Sequence, residues 1–250
     1  MDYFKGKTLD KEISLPLHFQ IKEVLLDYIS YLSEGDPIPT EMELCGIFKV
    51  SRPTVRQAVN ELVLNGLIVR RKGKGSFVAQ RKIKQDFLIV LESFNDEMQS
   101  KGLVPETRLL SGSVRKSTRL VSRSLKLPRG EEIISLIRLR SINSEPIVLV
   151  NSYLPASMLP GLLQKNLEQE SLYKIIERDY GYSVSYTRRM IEARLASDFE
   201  VEALRIKPMS AVHQIQTVAY TEDNIPVEFS TAVYRGDRNR FSIEVRKKKL

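Results

Sequence analysis

The stretch from Thr40 to Val78 leaves little choice of local fold. It holds two short helical patterns separated by three residues, then two apolar runs around a Gly-Lys-Gly turn. Thr40-Glu41-Met42-Glu43 has the spacing of a capping box, in which the threonine hydroxyl accepts the amide three residues on, so a helix is predicted to open there and run through Phe48. Ser51 is predicted to cap a second helix, whose stripe of Val55, Ala58, Val59, Leu62 and Val63 stops at Gly66. Upstream, Ile21, Val24, Leu25, Tyr28, Ile29 and Leu32 mark one face of a helix over about 17–33, between Pro16 and Gly35-Asp36-Pro37. The two later helices, joined by Lys49-Val50-Ser51, make a helix-turn-helix. Leu67–Arg70 and Ser76–Ala79 then flank Arg71-Lys72-Gly73-Lys74-Gly75 as the strands of a wing.

Charge is concentrated in the same place. The chain carries +8 overall, yet residues 49–84 alone hold ten cations against one acid, Glu61, so everything else nets −1. A basic run by itself describes a solvated surface as well as it describes a polyanion site. Placement separates the two. Arg52, Thr54, Arg56, Gln57 and Asn60 fall off the apolar stripe, chiefly on the first turns of the helix, where helix-turn-helix proteins present side chains to base edges. An ordinary solvated turn also fits Gly-Lys-Gly, but beside an arginine-faced helix the glycines let the backbone approach a phosphate or enter a minor groove.

The 250 residues suit two modest domains. The reading is a winged helix-turn-helix domain over 1–79, a polar and basic linker over 80–89, and a second domain over 90–250. Cys45 is the single cysteine and His18 and His213 the only histidines, so neither an internal disulfide nor a multi-histidine metal site is expected, and no cofactor. The N-terminus lacks an apolar signal core and no stretch approaches a membrane span, so a cytoplasmic protein is expected.

In the second domain, Ser93-Phe94-Asn95-Asp96 reads as another capping box, opening a helix that Gly102 ends. Such an N-terminus favours an anion, although many caps merely cap. Ile133–Leu154 and Ala211–Tyr234 each run strand, polar turn, proline, strand at an offset of 80, which predicts a duplicated β-hairpin. Helices are predicted after Ser171 and after Ser197-Asp198, giving an α+β domain. Strand alternation puts Arg138 and Arg140 on one face of their strand, and Glu228, Ser230 and Tyr234 on one face of theirs. These faces either meet water at a sheet edge or line a pocket that grips an anion with the arginines and binds its hydroxyls through Glu228 and Tyr234.

The N-terminal residues carry a family resemblance. Pro39-Thr40-Glu41, Ser51-Arg52-Pro53-Thr54-Val55-Arg56-Gln57-Ala58, Leu62, Gly66-Leu67-Ile68 and Gly73-Lys74-Gly75-Ser76-Phe77-Val78 resemble the winged helix-turn-helix of GntR-type bacterial transcription regulators over about 15–79. The resemblance implies that Arg52, Thr54 and Arg56 contact DNA and that Gly75 enters the minor groove. The candidate DNA-contacting set is Thr40, Glu41, Arg52, Thr54, Arg56, Gln57, Lys72, Gly73, Lys74 and Gly75. Met42 departs from the pattern, since members often carry a base there.

Gly130-Glu131, Ile137-Arg138-Leu139-Arg140, Glu145-Pro146-Ile147, Tyr153-Leu154-Pro155, Ser171-Leu172-Tyr173 and Val233-Tyr234-Arg235-Gly236-Asp237-Arg238 are similar to the UTRA effector-sensing domain of the HutC subfamily, over about 90–242. That likeness implies a chorismate-lyase-like antiparallel sheet with flanking helices and a small effector, such as a sugar phosphate or a carboxylate. By position, Ser93, Phe94 and Asn95 would hold the anion, with Arg138, Arg140, Ser171, Tyr173, Glu228, Ser230 and Tyr234 around the rest. Val150 stands where amino-sugar-phosphate sensors of this type have a glutamate.

A lyase-like fold also admits an enzyme acting on a small carboxylate. Against it, the sequence has no Gly-x-Ser-x-Gly elbow, no phosphate-binding GxxxxGK[ST] loop and no histidine pair near a nucleophile. The expected function is a ligand-responsive regulator, by default a repressor, binding operator DNA as a homodimer and hinged at 80–85. The enzyme and a non-specific nucleic-acid binder are the alternatives.

Overall fold

The computed structural model describes residues 2–80, 82–85 and 93–244, and it divides into two units, Met1–Arg81 and Lys82–Leu250. In the first, α1 (Leu17–Ser30) follows Pro16 and ends three residues before the predicted limit, where the Tyr31 amide donates to the Tyr28 carbonyl and the Leu32 amide to that of Ile29. α2 (Glu41–Phe48) opens on a complete Thr40–Glu43 capping box. Lys49 turns the chain with a left-handed φ of 51° into α3 (Arg52–Leu64). Ser51 occupies the cap position without capping: its hydroxyl bonds the Thr54 hydroxyl at 2.8 Å instead of a backbone amide. β1 (Ile68–Arg71) and β2 (Gly75–Val78) form the wing. Ile21 and Leu25 of α1, Leu44 and Phe48 of α2, and Val55, Ala58, Val59 and Leu62 of α3 close one core over Ile68 and Val78. Each large apolar side chain buried there contributes about 1.5–3 kcal/mol, so the apolar stripe is what fixes which face of α3 looks outward.

The second unit is built on a six-stranded antiparallel sheet. Its strands are β4 (Pro105–Lys116), β5 (Glu132–Ile142), β6 (Glu145–Pro155), β7 (Tyr186–Leu195), β8 (Ala211–Tyr220) and β9 (Pro226–Arg235), in the order β4-β5-β6-β9-β8-β7. Helices α4 (Phe94–Ser100), α5 (Arg119–Leu125), α6 (Leu172–Tyr180) and α7 (Asp198–Leu204) flank it. The repeat is larger than the hairpin read from sequence: β4-α5-β5-β6 and β7-α7-β8-β9 are two βαββ units that meet at the β6–β9 pair. The first hairpin turns at Asn143 and Ser144, whose φ values of 50° and 64° are those of a type I′ turn.

The predicted 80–89 linker needs correction. Residues 81 and 86–89 lie outside the described residues, but β3 (Ile83–Gln85) pairs in parallel with β10 (Asn239–Phe241). Lys82 Nζ also donates to the Gly236 carbonyl at 2.8 Å. The polar composition of this stretch concealed a partner 154 residues away.

Both faces of the sheet are covered. On one, Ile133 and Phe229 pack on Val121 and Leu125 of α5, while Leu139, Leu149, Val212 and Val233 pack on Leu204 of α7. On the other, Ile134, Leu136 and Leu154 pack on Leu172, Ile175 and Ile176 of α6, while Val148, Val150 and Ile215 pack on Phe94 and Met98 of α4. Between α4 and α6 this second face is left open.

Candidate functional site

In the first unit, Arg52, Arg56 and Gln57 stand exposed on α3, and Lys72, Gly73, Lys74 and Gly75 are exposed at the wing tip. Gly73 and Gly75 have φ of +73° and +107°, a backbone that a side chain would strain. Thr54 is half-buried and spends its hydroxyl on Ser51. Two other residues of the predicted set are occupied within the protein. The Thr40 hydroxyl donates to Glu43 Oε2 at 2.8 Å and accepts the Glu43 amide at 3.2 Å. Glu41 gathers three arginines: Oε2 accepts from Arg52 Nε at 3.4 Å and Arg56 Nε at 3.3 Å, and Oε1 from Arg70 Nη2 at 3.0 Å. One carboxylate therefore fixes the side chains of α3 and β1 relative to each other and leaves a net positive cluster. Arg71 adds to it from above the Phe77 ring, 4.8 Å from its centroid.

In the second unit, the gap between α4 and α6 is a cavity of about 110 Å³, against the roughly 10–15 Å³ that one water needs. Strand register builds its floor. Arg138 stands opposite Val150, and Val150 opposite Ala232; Arg140 stands opposite Val148, and Val148 opposite Tyr234. Ser152, Ser230, Thr217 and Arg189 form the next row. All ten residues proposed from sequence line this cavity: Ser93, Phe94, Asn95, Arg138, Arg140, Ser171, Tyr173, Glu228, Ser230 and Tyr234. Glu97, Thr107, Arg189 and Thr217 line it too and were missed. Their neighbours are set by cross-strand register and helix packing; the Tyr-Thr-Arg-Arg-Met-Ile run at 186–191 has the strand composition that would have flagged Arg189.

The walls are charged and largely buried. Arg138 is 2% exposed; its Nη2 donates to Ser152 Oγ at 3.1 Å and lies 4.0 Å from Glu228 Oε1. Tyr173 donates to Glu228 Oε2 at 2.6 Å. Burial, reinforced by Arg140 and opposed by Glu228, brings Arg138 down to about 10. Burial also lowers Arg189, against the pull of Tyr173, Tyr234 and Glu228. The Tyr173 hydroxyl is pushed well up by burial and then by the Glu228 charge, so it remains a donor. Arg140 lies over the Phe94 ring at 5.1 Å. The Nε groups of Arg138 and Arg140 are buried with no hydrogen-bond partner among the described residues. A buried guanidinium short of acceptors is costly, and a carboxylate or phosphate supplies what it lacks.

The capping box predicted at the mouth differs from expectation. Ser93 accepts the Asp96 amide at 3.1 Å, but the Asp96 carboxylate pairs with Lys174 Nζ at 2.7 Å on α6, so the predicted box is half a box. Ser171 opens α6 without a side-chain cap bond. Away from the cavity, His213 packs edge-on against Phe241 at 5.2 Å, and burial lowers its pKa.

Comparison with known proteins agrees with both halves. Residues 20–78 match the model of bacterial regulatory proteins of the gntR family, and residues 100–240 match that of the UTRA domain. The chain is similar to the HTH-type transcriptional repressor NagR of Bacillus subtilis, 33% identical over 94% of this chain and 96% of that one. It is also similar to the probable fructoselysine utilization operon transcriptional repressor of Escherichia coli K12, 27% identical over 91% of this chain and 94% of that one. Among solved structures, PhnF of Mycobacterium smegmatis matches with a TM-score of 0.66 and 28% identity, covering 91% of this chain and all of that one.

Proposed function

We propose a function from one premise: the chain belongs to the GntR family of bacterial regulatory proteins, and its C-terminal part is a UTRA domain. As a transcription regulator rather than an enzyme, it acts as a repressor of the HutC type. It binds operator DNA in the cytoplasm as a homodimer and is released or modulated by a small anionic metabolite, a sugar phosphate or a carboxylate. No helix among the described residues is long and apolar enough to cross a membrane. The repressors NagR and the fructoselysine operon regulator, both similar along nearly their whole length, support the sign.

The observation that carries the effector half is the pair of buried Nε atoms of Arg138 and Arg140, which have no hydrogen-bond partner among the described residues and line a cavity of metabolite size. Ser93, Asn95 and Ser171 would complete the anion's shell, and Glu228 with Tyr173 and Tyr234 would meet its hydroxyls. In the DNA half, Arg52, Arg56 and Gln57 read base edges, while Lys72 and Lys74 take phosphates on either side of Gly73 and Gly75. Two copies of α3 enter successive major grooves about 34 Å apart. Effector acts on DNA affinity by binding two domain arrangements unequally, with the segment after residue 79 as the hinge.

Selection from a random duplex pool at moderate salt tests this reading. The expected product is an inverted repeat with half-sites about one helical turn apart. An unenriched pool would overturn it.

A further inference from the structure

The net −1 of the chain outside residues 49–84 hides a second concentration of charge. Residues 107–130 hold seven cations and no acid, and all seven are exposed. None of them forms an ion pair among the described residues, whereas other arginines of this unit do, as Arg178 with Glu170 and Arg194 with Glu200. The nearest acids in sequence, Glu106, Glu131 and Glu132, flank the segment, and Glu132 stands opposite Lys116 in register without an ion pair among the described residues.

The fold gathers four of these cations. Arg119 and Arg123 lie one turn apart on the outward side of α5, whose other side buries Val121 and Leu125. Lys126 follows at the helix C-cap with a left-handed φ of 54°. Arg115 of β4 stands opposite Ile133, which packs under α5. Two of the cations rest on rings: Arg115 lies 5.3 Å from the Tyr153 centroid, and Lys126 lies 5.8 Å from that of Tyr220. Arg188 of β7 approaches the same Tyr220 ring at 6.0 Å, which joins the far edge of the sheet to the patch. Tyr220 itself stacks on Tyr186 at 4.8 Å and 10°. Aromatic seats hold the cations out from the surface at little cost in side-chain entropy. This face lies opposite the one that holds the effector cavity, so effector binding does not use it.

We propose that α5 and the adjoining ends of β4 and β7 form a second, sequence-independent binding surface for the DNA phosphate backbone. The proposal rests on the DNA-binding reading above. Charge complementarity selects the ligand: an unpaired cation cluster with no acid among it suits a dense row of phosphates, and the chain already works on duplex DNA. Its contacts are with phosphates rather than base edges, so it adds affinity and reach without adding base discrimination.

The test uses the full chain and a 60-bp duplex of arbitrary sequence, titrated from about 50 to 200 mM salt. A variant combining Arg115→Gln, Arg119→Gln, Arg123→Gln and Lys126→Gln changes only exposed side chains, and the milder pair Arg119→Gln with Arg123→Gln stands in if the four together disturb folding. Each lost phosphate contact lowers the slope of log affinity against log salt by about 0.9, so the fourfold variant should fall by about 3.6 and the pair by about half of that. Replacing the three arginines by lysine should keep the slope, because a phosphate needs only charge. Preference for the selected operator over the arbitrary duplex should be unchanged in the patch variant and lost in Arg56→Ala. An unaltered slope in the patch variants, with Arg56→Ala still losing preference, overturns this proposal and spares the operator reading. Loss of polyglutamate binding with an unaltered DNA slope overturns it in favour of an acidic protein partner. A parent chain that holds no duplex at all overturns the DNA reading itself.

Discussion

The molecule uses arginine in two opposite ways. At α3, Arg52, Arg56 and Arg70 share Glu41 in the open, with 69%, 52% and 41% of their side chains exposed. In the sheet cavity, Arg138 is sealed, and its interactions with Glu228 and Ser152 leave its Nε unmatched. Exposed ion pairs are worth about 0–1 kcal/mol each because water screens them, so the first cluster serves orientation. The second is buried, Arg138 at 2% and Glu228 at 3% exposed, so every missing partner there is expensive. A surface arginine waits for a ligand at little cost, whereas a buried one makes the empty pocket less stable than the filled one.

The largest effect should come from the cavity. Arg138→Met strands the Glu228 carboxylate in a buried site and should cost about 3–5 kcal/mol of stability, measured by urea unfolding. Adding Glu228→Leu should recover most of the loss. If the single change is as mild as a surface substitution, the contrast between the two clusters is broken. Arg56→Ala should leave unfolding unchanged and remove about 1–3 kcal/mol of base discrimination, read as the ratio of operator to scrambled duplex binding.

The N-cap positions of α2 and α3 sharpen the comparison at smaller scale. Thr40→Ala should destabilise the first unit by about 1 kcal/mol, whereas Ser51→Ala, whose hydroxyl caps no amide, should cost less; equal losses in thermal unfolding would contradict the geometry. The smallest effect is a pH dependence. The backbone amide of Thr40, and then its hydroxyl, hold the Glu43 carboxylate below its usual range. A depressed carboxylate stabilises fully above its ordinary pKa and loses that contribution as pH falls through the depressed value. Acid unfolding of the first unit should therefore be shallower in Glu43→Gln than in the parent chain.

Legibility in the sequence followed the range of the forces involved. The helix-turn-helix was readable because caps, apolar stripes and turn glycines act within a few residues: Thr40 and Glu43, or Gly73 and Gly75, need no distant partner. Five of the ten cavity residues were also within reach, since alternation sorts Arg138 and Arg140 from Leu139, and Glu228, Ser230 and Tyr234 from Phe229; Ser93 was readable from its cap spacing, and Phe94, Asn95, Ser171 and Tyr173 only from the family resemblance. The edge strands β4 and β7 were not, because an edge strand buries little and shows no clean alternation. Arg189 was lost with β7. Ile83–Gln85 was mistaken for linker because its partner strand lies near the other end of the unit, and the Ser93 box was half wrong because Lys174, on a distant helix, claims the Asp96 carboxylate.

The most direct test couples the two arginine clusters. Metabolites retained by the purified chain would be identified by mass spectrometry. Operator affinity would then be measured with and without that metabolite, and metabolite affinity with and without operator. A repressor should lose operator affinity by about 5–150-fold on binding the metabolite, and the metabolite should lose affinity by the same factor on operator, as linkage requires. An operator affinity indifferent to a fully occupied cavity would contradict the regulator described here.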